Sequence, residues 1–268
     1  MLKKFVFLML MFPGLAMAQA KVRQVVTMAV DDEHRPYINS DGEQPSGFYV
    51  QLLQRAIERL PGWELRLQAM PWSRALMHAE RGDVDGLVPP YGGAKRAWMG
   101  AYAGPLFREA VVVVCDLRTG LGASARWPAD YARRRIGRLR GYFLSAKLSE
   151  AVARGQVREQ EFRNLRDALA ALKTGQLDCV ADDPVRLEME HRQAMADPIW
   201  SARVPARLTA PAVLSSQDVF VGFSKNSIRA RPELAAFAKA LDEQLMLMRK
   251  SGEIDGMARK LLGPHGAP

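Results

Sequence analysis

Cysteine and histidine are scarce in this sequence. Only two cysteines, Cys115 and Cys179, occur in 268 residues. That number excludes a small disulfide-built scaffold and a cysteine-built zinc cluster. The four histidines are isolated from one another, so the sequence predicts no metal site. Apolar residues make up 48% and charged residues 25% of the chain, which is the composition of a globular protein rather than a disordered one.

Long apolar runs are also missing after the first 18 residues, so no later segment approaches the length of about 20 residues that spans a bilayer. The net charge is +9, but its basic residues are scattered and form no stripe interleaved with aromatics. We therefore expect no nucleic-acid partner. Gly120 to Ala125 matches a dinucleotide fingerprint, but Trp127-Pro128 follows where a helix should continue, so we expect no cofactor.

Residues 1–18 have the three parts of a secretory signal peptide. Lys3 and Lys4 precede the apolar run at 5–12, and the small-x-small pattern of Ala16 to Ala18 provides a cleavage site. Gln19 would then be the first mature residue. The sequence predicts export, most simply into a bacterial periplasm.

The rest of the chain alternates between strand and helix patterns. The first set consists of strands at 25–30, 65–70 and 84–88 and helices at 48–60 and 72–81. The second set consists of strands at 111–115, 136–139 and 178–182 and a helix at 167–173. A strand at 220–223 and two tail helices within 232–262, broken at Ser251-Gly252, complete the chain. This order predicts parallel sheets covered by helices.

Two α/β sets joined by two crossing strands, near 108–114 and 219–223, predict two lobes with a double hinge. We expect lobe 1 at 19–108 plus 221–268 and lobe 2 at 109–220. Ligands of open α/β sheets lie beyond the carboxyl ends of strands. Asp31-Asp32, Pro89 to Tyr91 and Asp182-Asp183 lie at such ends.

Five segments, in order and spacing, resemble bacterial extracellular solute-binding protein family 3. They are PSGFYVQLLQRAIERLPG (45–62), ALMHAERGDVDGLVPP (75–90), Arg96 followed by GPLF (104–107), ALKTGQLDCVADDPV (171–185) and ALDEQLMLMRKSGEIDGMARKLLG (240–263). The resemblance implies a type II periplasmic-binding-protein fold with the ligand in the interlobe cleft. It also implies a monomer that catalyses nothing and delivers a small polar ligand to an inner-membrane ABC permease.

The resemblance assigns the two charged contacts. Arg96 stands where the family has an arginine that grips the ligand's carboxylate, a role suited to a planar guanidinium. Asp183 stands at the family's lobe 2 aspartate, which pairs with the ligand's ammonium group. The neighbouring Asp182 would take this place after a slip of one residue. Asp183 is equally suited to cap a helix that begins at Pro184.

Four further residues match positions that contact the ligand in the family. Trp72 would pack an aromatic face on it. Asp31, His34 and Tyr37 belong to the first strand and its loop. Each of these residues can alternatively be interpreted as an ordinary core or loop side chain that does not contact a ligand.

The stretch before Arg96 departs from the family pattern. It reads PPYGGAK at 89–95 instead of a Ser- and Thr-rich segment, and proline has no N–H to donate. An amino acid is therefore one candidate ligand, and another small carboxylate or amine held by Tyr91 and Trp72 is a second.

The sequence leaves two questions open. Cys115 and Cys179 either pair or remain two buried thiols. The same fold also serves periplasmic dehydratases of the cyclohexadienyl or arogenate type, for which His34, Glu33 and Asp183 are the candidate acids, and ligand-sensing subunits.

Overall fold

The computed structural model describes residues 23–41, 44–92, 96–122 and 124–263. The predicted signal peptide lies outside these residues, as do Gly93 to Lys95 in the segment before Arg96. In the described ranges, no helix has both the length and the apolar character to cross a membrane.

The chain alternates strands and helices over most of its length. The strands are β1 (Gln24–Asp31), β2 (Trp63–Met70), β3 (Gly86–Val88), β4 (Met99–Cys115), β5 (Arg135–Leu139), β6 (Arg158–Phe162), β7 (Cys179–Asp182) and β8 (Ala212–Ser224). The helices are α1 (Phe48–Ile57), α2 (Trp72–Arg81), α3 (Ala146–Ala153), α4 (Leu165–Thr174), α5 (Pro184–Ala196), α6 (Lys225–Ala230), α7 (Glu233–Lys250) and α8 (Glu253–Leu262).

The strands form one sheet in the order β2-β1-β3-β8-β4-β7-β5-β6. β1 runs parallel to β2 and β3, and β5 runs parallel to β6 and β7. β4 and β8 are antiparallel to each other and to their outer neighbours. The predicted β-α-β-α-β order of the first segment is confirmed, and the apolar run of β1 fits its place between β2 and β3, to which it runs parallel.

β4 and β8 connect the two ends of the sheet. The sequence predicted short crossing strands here, but β4 and β8 are 17 and 13 residues long. Their pairing runs from Met99↔Ser224 to Val113↔Ala212, with register shifts on the way. Polar residues such as Glu109 and Gln217 interrupt the apolar pattern in the middle, and this is why the sequence revealed only the ends.

The buried apolar residues divide between the two ends of the sheet. The first core is built from residues within 26–107 and 219–262, and the second core from residues within 111–214. Tyr91 and Tyr142 are half-buried and pack against both cores. These two tyrosines therefore mark where the cores meet.

Several elements depart from the sequence prediction. β6 reads REQEF, and polar residues suit a strand at the edge of the sheet. The first turn of α5 buries Arg186 as well as Leu187, so the sequence of this helix has no clean apolar stripe. α1 ends at Ile57, one turn before the predicted end at Leu60.

Cys115 and Cys179 form a disulfide bond between neighbouring antiparallel strands, with their Cα atoms 3.9 Å apart. Both cysteines are fully buried in the second core. The sequence had left this pairing open. Closing a separation of 64 residues stabilises the fold by about 4 kcal/mol in the chain-entropy model.

Candidate functional site

A small cavity of about 20 Å³ lies where the two cores meet. The parallel strands β1 and β3 end beside it, which places Asp31 and Pro89 on its wall, and α2 begins there with Trp72. From the side of the second core, the loop after β5 adds Tyr142 and Phe143. The cavity thus occupies the place where open α/β sheets bind ligands.

Two opposite charges share this cavity. Asp31 is buried and accepts hydrogen bonds from the Tyr142 hydroxyl and from the backbone N–H of Glu33. The guanidinium carbon of Arg96 lies 6.0 Å from the centre of the Trp72 ring. Burial lowers the pKa of Arg96, and its interaction with Tyr102 partly offsets that effect. A carboxylate and a guanidinium on one wall suit a ligand that carries both signs of charge.

Aromatic rings form most of the remaining wall: Trp72, Tyr91, Tyr142 and Phe143. Trp72 meets Tyr142 edge to face, with ring centres 6.3 Å apart. Such rings offer flat apolar faces together with hydroxyl groups. The wall can therefore pack on carbon atoms and also hydrogen-bond to a polar group.

Glu109 is the centre of a hydrogen-bond network behind the cavity. It lies in the middle of β4, is 1% exposed, and was not among the predicted site residues. His34 Nε2 is 3.1 Å from its Oε1, and the hydroxyls of Tyr49 and Tyr91 donate to its two oxygens over 2.5 and 2.6 Å. Burial alone would raise the pKa of Glu109, but His34 and the tyrosine hydrogen bonds outweigh burial and lower it.

His34 connects this network to the cavity. Its ring lies 5.2 Å from Tyr37 and stacks on Tyr49 at 6.1 Å, measured between ring centres. Nε2 faces Glu109, whereas Nδ1 has no hydrogen-bond partner among the residues that the structure describes. His34 is therefore held in place from behind while its ring lines the cavity.

Asp183 caps helix α5, as the capping interpretation of the sequence predicts. Its Oδ1 accepts from the backbone N–H groups of Val185 and Arg186 and from the hydroxyl of Tyr37, 3.1 Å away. Burial, reinforced by the charge of Glu109, raises the pKa of Asp183 to about 8. The carboxyl group is therefore largely protonated at neutral pH.

Asp182 is paired within the chain. Arg186 Nη1 donates to Asp182 Oδ1 over 2.7 Å, and both side chains are at most 2% exposed. Burial raises the pKa of Asp182, and the Arg186 charge opposes that rise. Arg186 was missed from the sequence, although an arginine four residues after an aspartate in a helix-start pattern is a recognisable signal.

The eight predicted site residues fall into two groups. Five line the cavity: Asp31, His34, Trp72, Tyr91 and Arg96. The other three lie behind it and have partners within the chain: Tyr37, Asp182 and Asp183. Their contact with a ligand stays a prediction for all eight.

Larger cavities adjoin this region: one of about 350 Å³ that shares Tyr142 and Phe143 with the small cavity, and two others. One of about 280 Å³ shares Asp31, Trp72 and Tyr142 with the small cavity. The other, of about 400 Å³, is lined by Glu33 and Arg186 and by residues of α4 and α5. Across the described ranges, no three His, Cys, Asp or Glu side chains are grouped so that they could hold a metal ion.

Comparisons with known proteins find the fold but no relative by sequence. No protein-family model matches the chain, and no curated protein matches it. Solved structures do match over nearly the whole chain. One is a histidine kinase sensor domain with similarity to periplasmic binding proteins, with a TM-score of 0.70 and 19% identity over 90% of this chain and 97% of that one.

Two further structures illustrate the range of proteins with this fold. One is a structure that concerns glutathione import in Gram-positive bacteria through GshT and the cystine ABC importer TcyBC of Streptococcus mutans. Its TM-score is 0.70, with 13% identity over 92% of this chain and 98% of that one. The other is the ancestral amino-acid-binding protein AncCDT-1, a precursor of cyclohexadienyl dehydratase, with a TM-score of 0.65 and 14% identity over 89% and 95%.

These matches confirm, at the level of the fold, the resemblance seen in the sequence. Most of the matched structures are binding proteins rather than enzymes. The chain has the mixed α/β, periplasmic-binding-protein-like fold of amino-acid-binding proteins and of the extracellular binding proteins of ABC transporters.

Proposed function

We propose that this protein is a periplasmic solute-binding protein that captures a small polar ligand, an amino acid or a related carboxylate, for an ABC-type uptake transporter. The observation that carries the proposal is the cavity at which Asp31 and Arg96, two opposite charges, meet within an aromatic wall. Arg96 binds the carboxylate of the ligand and Asp31 its ammonium group. Trp72 and Tyr91 pack on the carbon atoms between them.

In this proposal the two cores belong to two lobes. Lobe 1 comprises residues 19–108 and 221–268, and lobe 2 comprises residues 109–220. The division is supported by the separation of the cores and by the two long strands, β4 and β8, that run from one core to the other. Only these two strands would bend when the lobes open.

The volume of the cavity supports a hinge mechanism. About 20 Å³ holds roughly one water molecule, so an amino acid enters only after the lobes part. Arg96 and Asp31 belong to lobe 1, whereas Tyr142 and Phe143 belong to lobe 2. A ligand that contacts both walls binds the closed form more tightly than the open form, and this difference in affinity drives closure.

Location and partners follow from the same proposal. A signal peptide at 1–18 directs export, and the protein works as a monomer with an inner-membrane permease as its partner. The Cys115–Cys179 disulfide supports export, because such bonds persist in oxidising compartments such as the periplasm. The closed lobes present one combined surface to the permease.

Calorimetric titration with a panel of amino acids and small carboxylates tests the proposal. The wild type should bind at least one of them, and Arg96→Gln should weaken that binding about 10- to 100-fold, because a charged hydrogen bond contributes about 1.5–3 kcal/mol. Arg154→Gln is the matched control, since the Arg154 side chain is 70% exposed at the end of α3. Binding that survives Arg96→Gln unchanged contradicts the assigned site.

A dehydratase is the second candidate, favoured by His34. Its Nε2 is held by the buried Glu109, and its Nδ1 is unpartnered among the described residues, as a proton donor or acceptor in a cavity requires. Incubation with prephenate or arogenate, followed by assay for an aromatic product, tests it. Steady turnover that His34→Asn abolishes would replace the binding proposal.

A sensory role is the third candidate, and the similarity to a histidine kinase sensor domain favours it. Sensing and transport use the same cavity and the same closure. The genes beside this one discriminate between them: a permease and an ATPase support transport, and a kinase supports sensing.

A further inference from the structure

The guanidinium of Arg186 is buried between the two cores. Nη1 donates to Asp182 Oδ1 over 2.7 Å, and Nη2 donates to the backbone carbonyl of Glu33 over 2.6 Å. The guanidinium carbon lies 5.2 Å from the centre of the Tyr142 ring. A carboxylate, a carbonyl and an aromatic face are the groups with which proteins bind a cationic ligand.

These partners come from both sides of the cavity. Asp182 ends β7 on the side of the second core, whereas Glu33 follows β1 on the side of the first. Arg186 therefore joins the two walls as the cationic group of a bound ligand would, but it belongs to the chain itself. Tyr142, the aromatic partner, also lines the small cavity.

We propose that Arg186 is a built-in cation that fills a cation subsite at Asp182, so that the protein selects ligands without a cationic side chain. The inference rests on the proposed function and narrows its ligand class to neutral or acidic amino acids and related carboxylates. A lysine- or arginine-like side chain would have to displace Arg186 or bring a second positive charge beside it.

The hydrogen bonding at this pair supports a subsite rather than a saturated ion pair. Asp182 Oδ2 and Arg186 Nε have no hydrogen-bond partners within the described part of the chain. The carboxylate thus keeps a free oxygen for a second donor. The cavity of about 400 Å³ is lined by Arg186 and Glu33, so a small cation can reach Asp182 once the arginine side chain is shortened.

Chemical rescue tests the inference without any knowledge of the natural ligand. Thermal unfolding of Arg186→Ala is followed with millimolar methylguanidinium chloride, against sodium chloride at equal ionic strength. We expect a saturable rise of about 5 °C in the midpoint of the variant and no saturable rise in the wild type. If Arg186→Ala is unfolded alone, its refolding yield is scored with and without methylguanidinium.

The double variant Asp182→Asn/Arg186→Ala is the matched control. It lacks both charges and should show no methylguanidinium effect, because the carboxylate that attracts the cation is gone. Equal stabilisation of the wild type and Arg186→Ala, or no rescue of Arg186→Ala at all, overturns the inference.

Titration of the wild type provides a second, independent measurement. L-Arginine and L-lysine should bind at least about 100-fold more weakly than the best neutral or acidic amino acid, and Arg186→Ala should reduce this gap. Wild-type binding of L-arginine as tight as that of a neutral amino acid overturns the inference. If the wild type binds no amino acid or carboxylate, the proposed function fails, and the rescue experiment still decides the role of Arg186.

Discussion

The ionisable side chains around the cavity form two groups. In the cavity pair, Asp31 and Arg96, the two charges line one space between aromatic rings. In the interior network, Glu109, Asp182, Asp183 and Arg186 are each at most 2% exposed and bonded within the chain. A charged residue at a strand end is therefore no guide to ligand contact by itself. Asp31 and Arg96 also have partners within the chain, Tyr142 and Tyr102, so what distinguishes them is that their side chains line the cavity.

The largest effect is expected for Glu109→Ala. The change leaves His34, Tyr49 and Tyr91 without their common acceptor in a buried site. The free energy of unfolding should fall by about 3–5 kcal/mol, because each buried polar group left without its hydrogen-bond partner costs about 1–3 kcal/mol. Urea denaturation measures it, with Glu243→Ala as control, because the Glu243 side chain is 60% exposed on α7. A loss below about 1 kcal/mol would show that the network is not structural.

The second prediction concerns pH and Asp183. Its folded-state pKa of about 8 lies above the unfolded value of 3.8, so the folded protein binds more protons between these values. Its contribution to stability is therefore present at low pH and is lost as pH rises, by about 1.4 kcal/mol per pH unit within that window. Urea denaturation at pH 5, 6 and 7 should show this decline in the wild type and a weaker one in Asp183→Asn.

Asparagine is a good helix cap, so Asp183→Asn removes the titration and keeps the start of α5. Asp197→Asn is the control. Asp197 also accepts backbone N–H groups, but these lower its pKa, so it is ionised in both states across this window. Parallel stability curves for the wild type and Asp183→Asn would contradict the raised pKa of Asp183.

Much of the fold could be predicted from the sequence because the local patterns of apolar residues and of helix- and strand-ending residues were strong. A short apolar run predicted β1, Pro89-Pro90 marked the end of β3, and Gly82 marked the end of α2, where it adopts the left-handed conformation. β6 was not predicted because an edge strand lacks a clean apolar pattern. Only the start of α5 was anticipated, at Asp183-Pro184, because a helix that buries an arginine also lacks such a pattern. The full length of β4 was hidden by its polar centre around Glu109.

The site was predictable only in part, for a different reason. Strand ends and the family resemblance led to Asp31, Trp72 and Arg96, which line the cavity. They also led to Asp182 and Asp183, whose partners come from α5 and from the loop after β1. Such pairing is a property of the folded arrangement. Arg186, the partner of Asp182, and Glu109, the partner of His34 and Tyr91, could be assigned only once that arrangement was known.

Ligand affinity should distinguish Asp31, the carboxylate of the cavity pair, from Asp182, a carboxylate of the interior network. Asp31→Asn should weaken binding of the ligand found by titration about 10- to 100-fold, because the ligand's ammonium group loses a charged acceptor. Asp182→Asn should change affinity by less than about 3-fold, since Asp182 pairs with Arg186. Calorimetry on both variants measures the difference. Equal losses would show that the interior network also contacts the ligand and would remove the distinction.

The smallest effect is expected at Trp72, which contributes to the cavity pair through its ring. The ring lies beneath the Arg96 guanidinium, and a cation–π contact of this kind is worth about 0.5–1 kcal/mol at a partly exposed site. Trp72→Leu should therefore weaken binding about 2- to 5-fold by letting Arg96 move away from its position. Trp72→Phe retains a ring and should lose less than Trp72→Leu. Calorimetric affinities decide the order of the two variants. An equal loss in both would mean that Trp72 acts through its volume and not through its ring face.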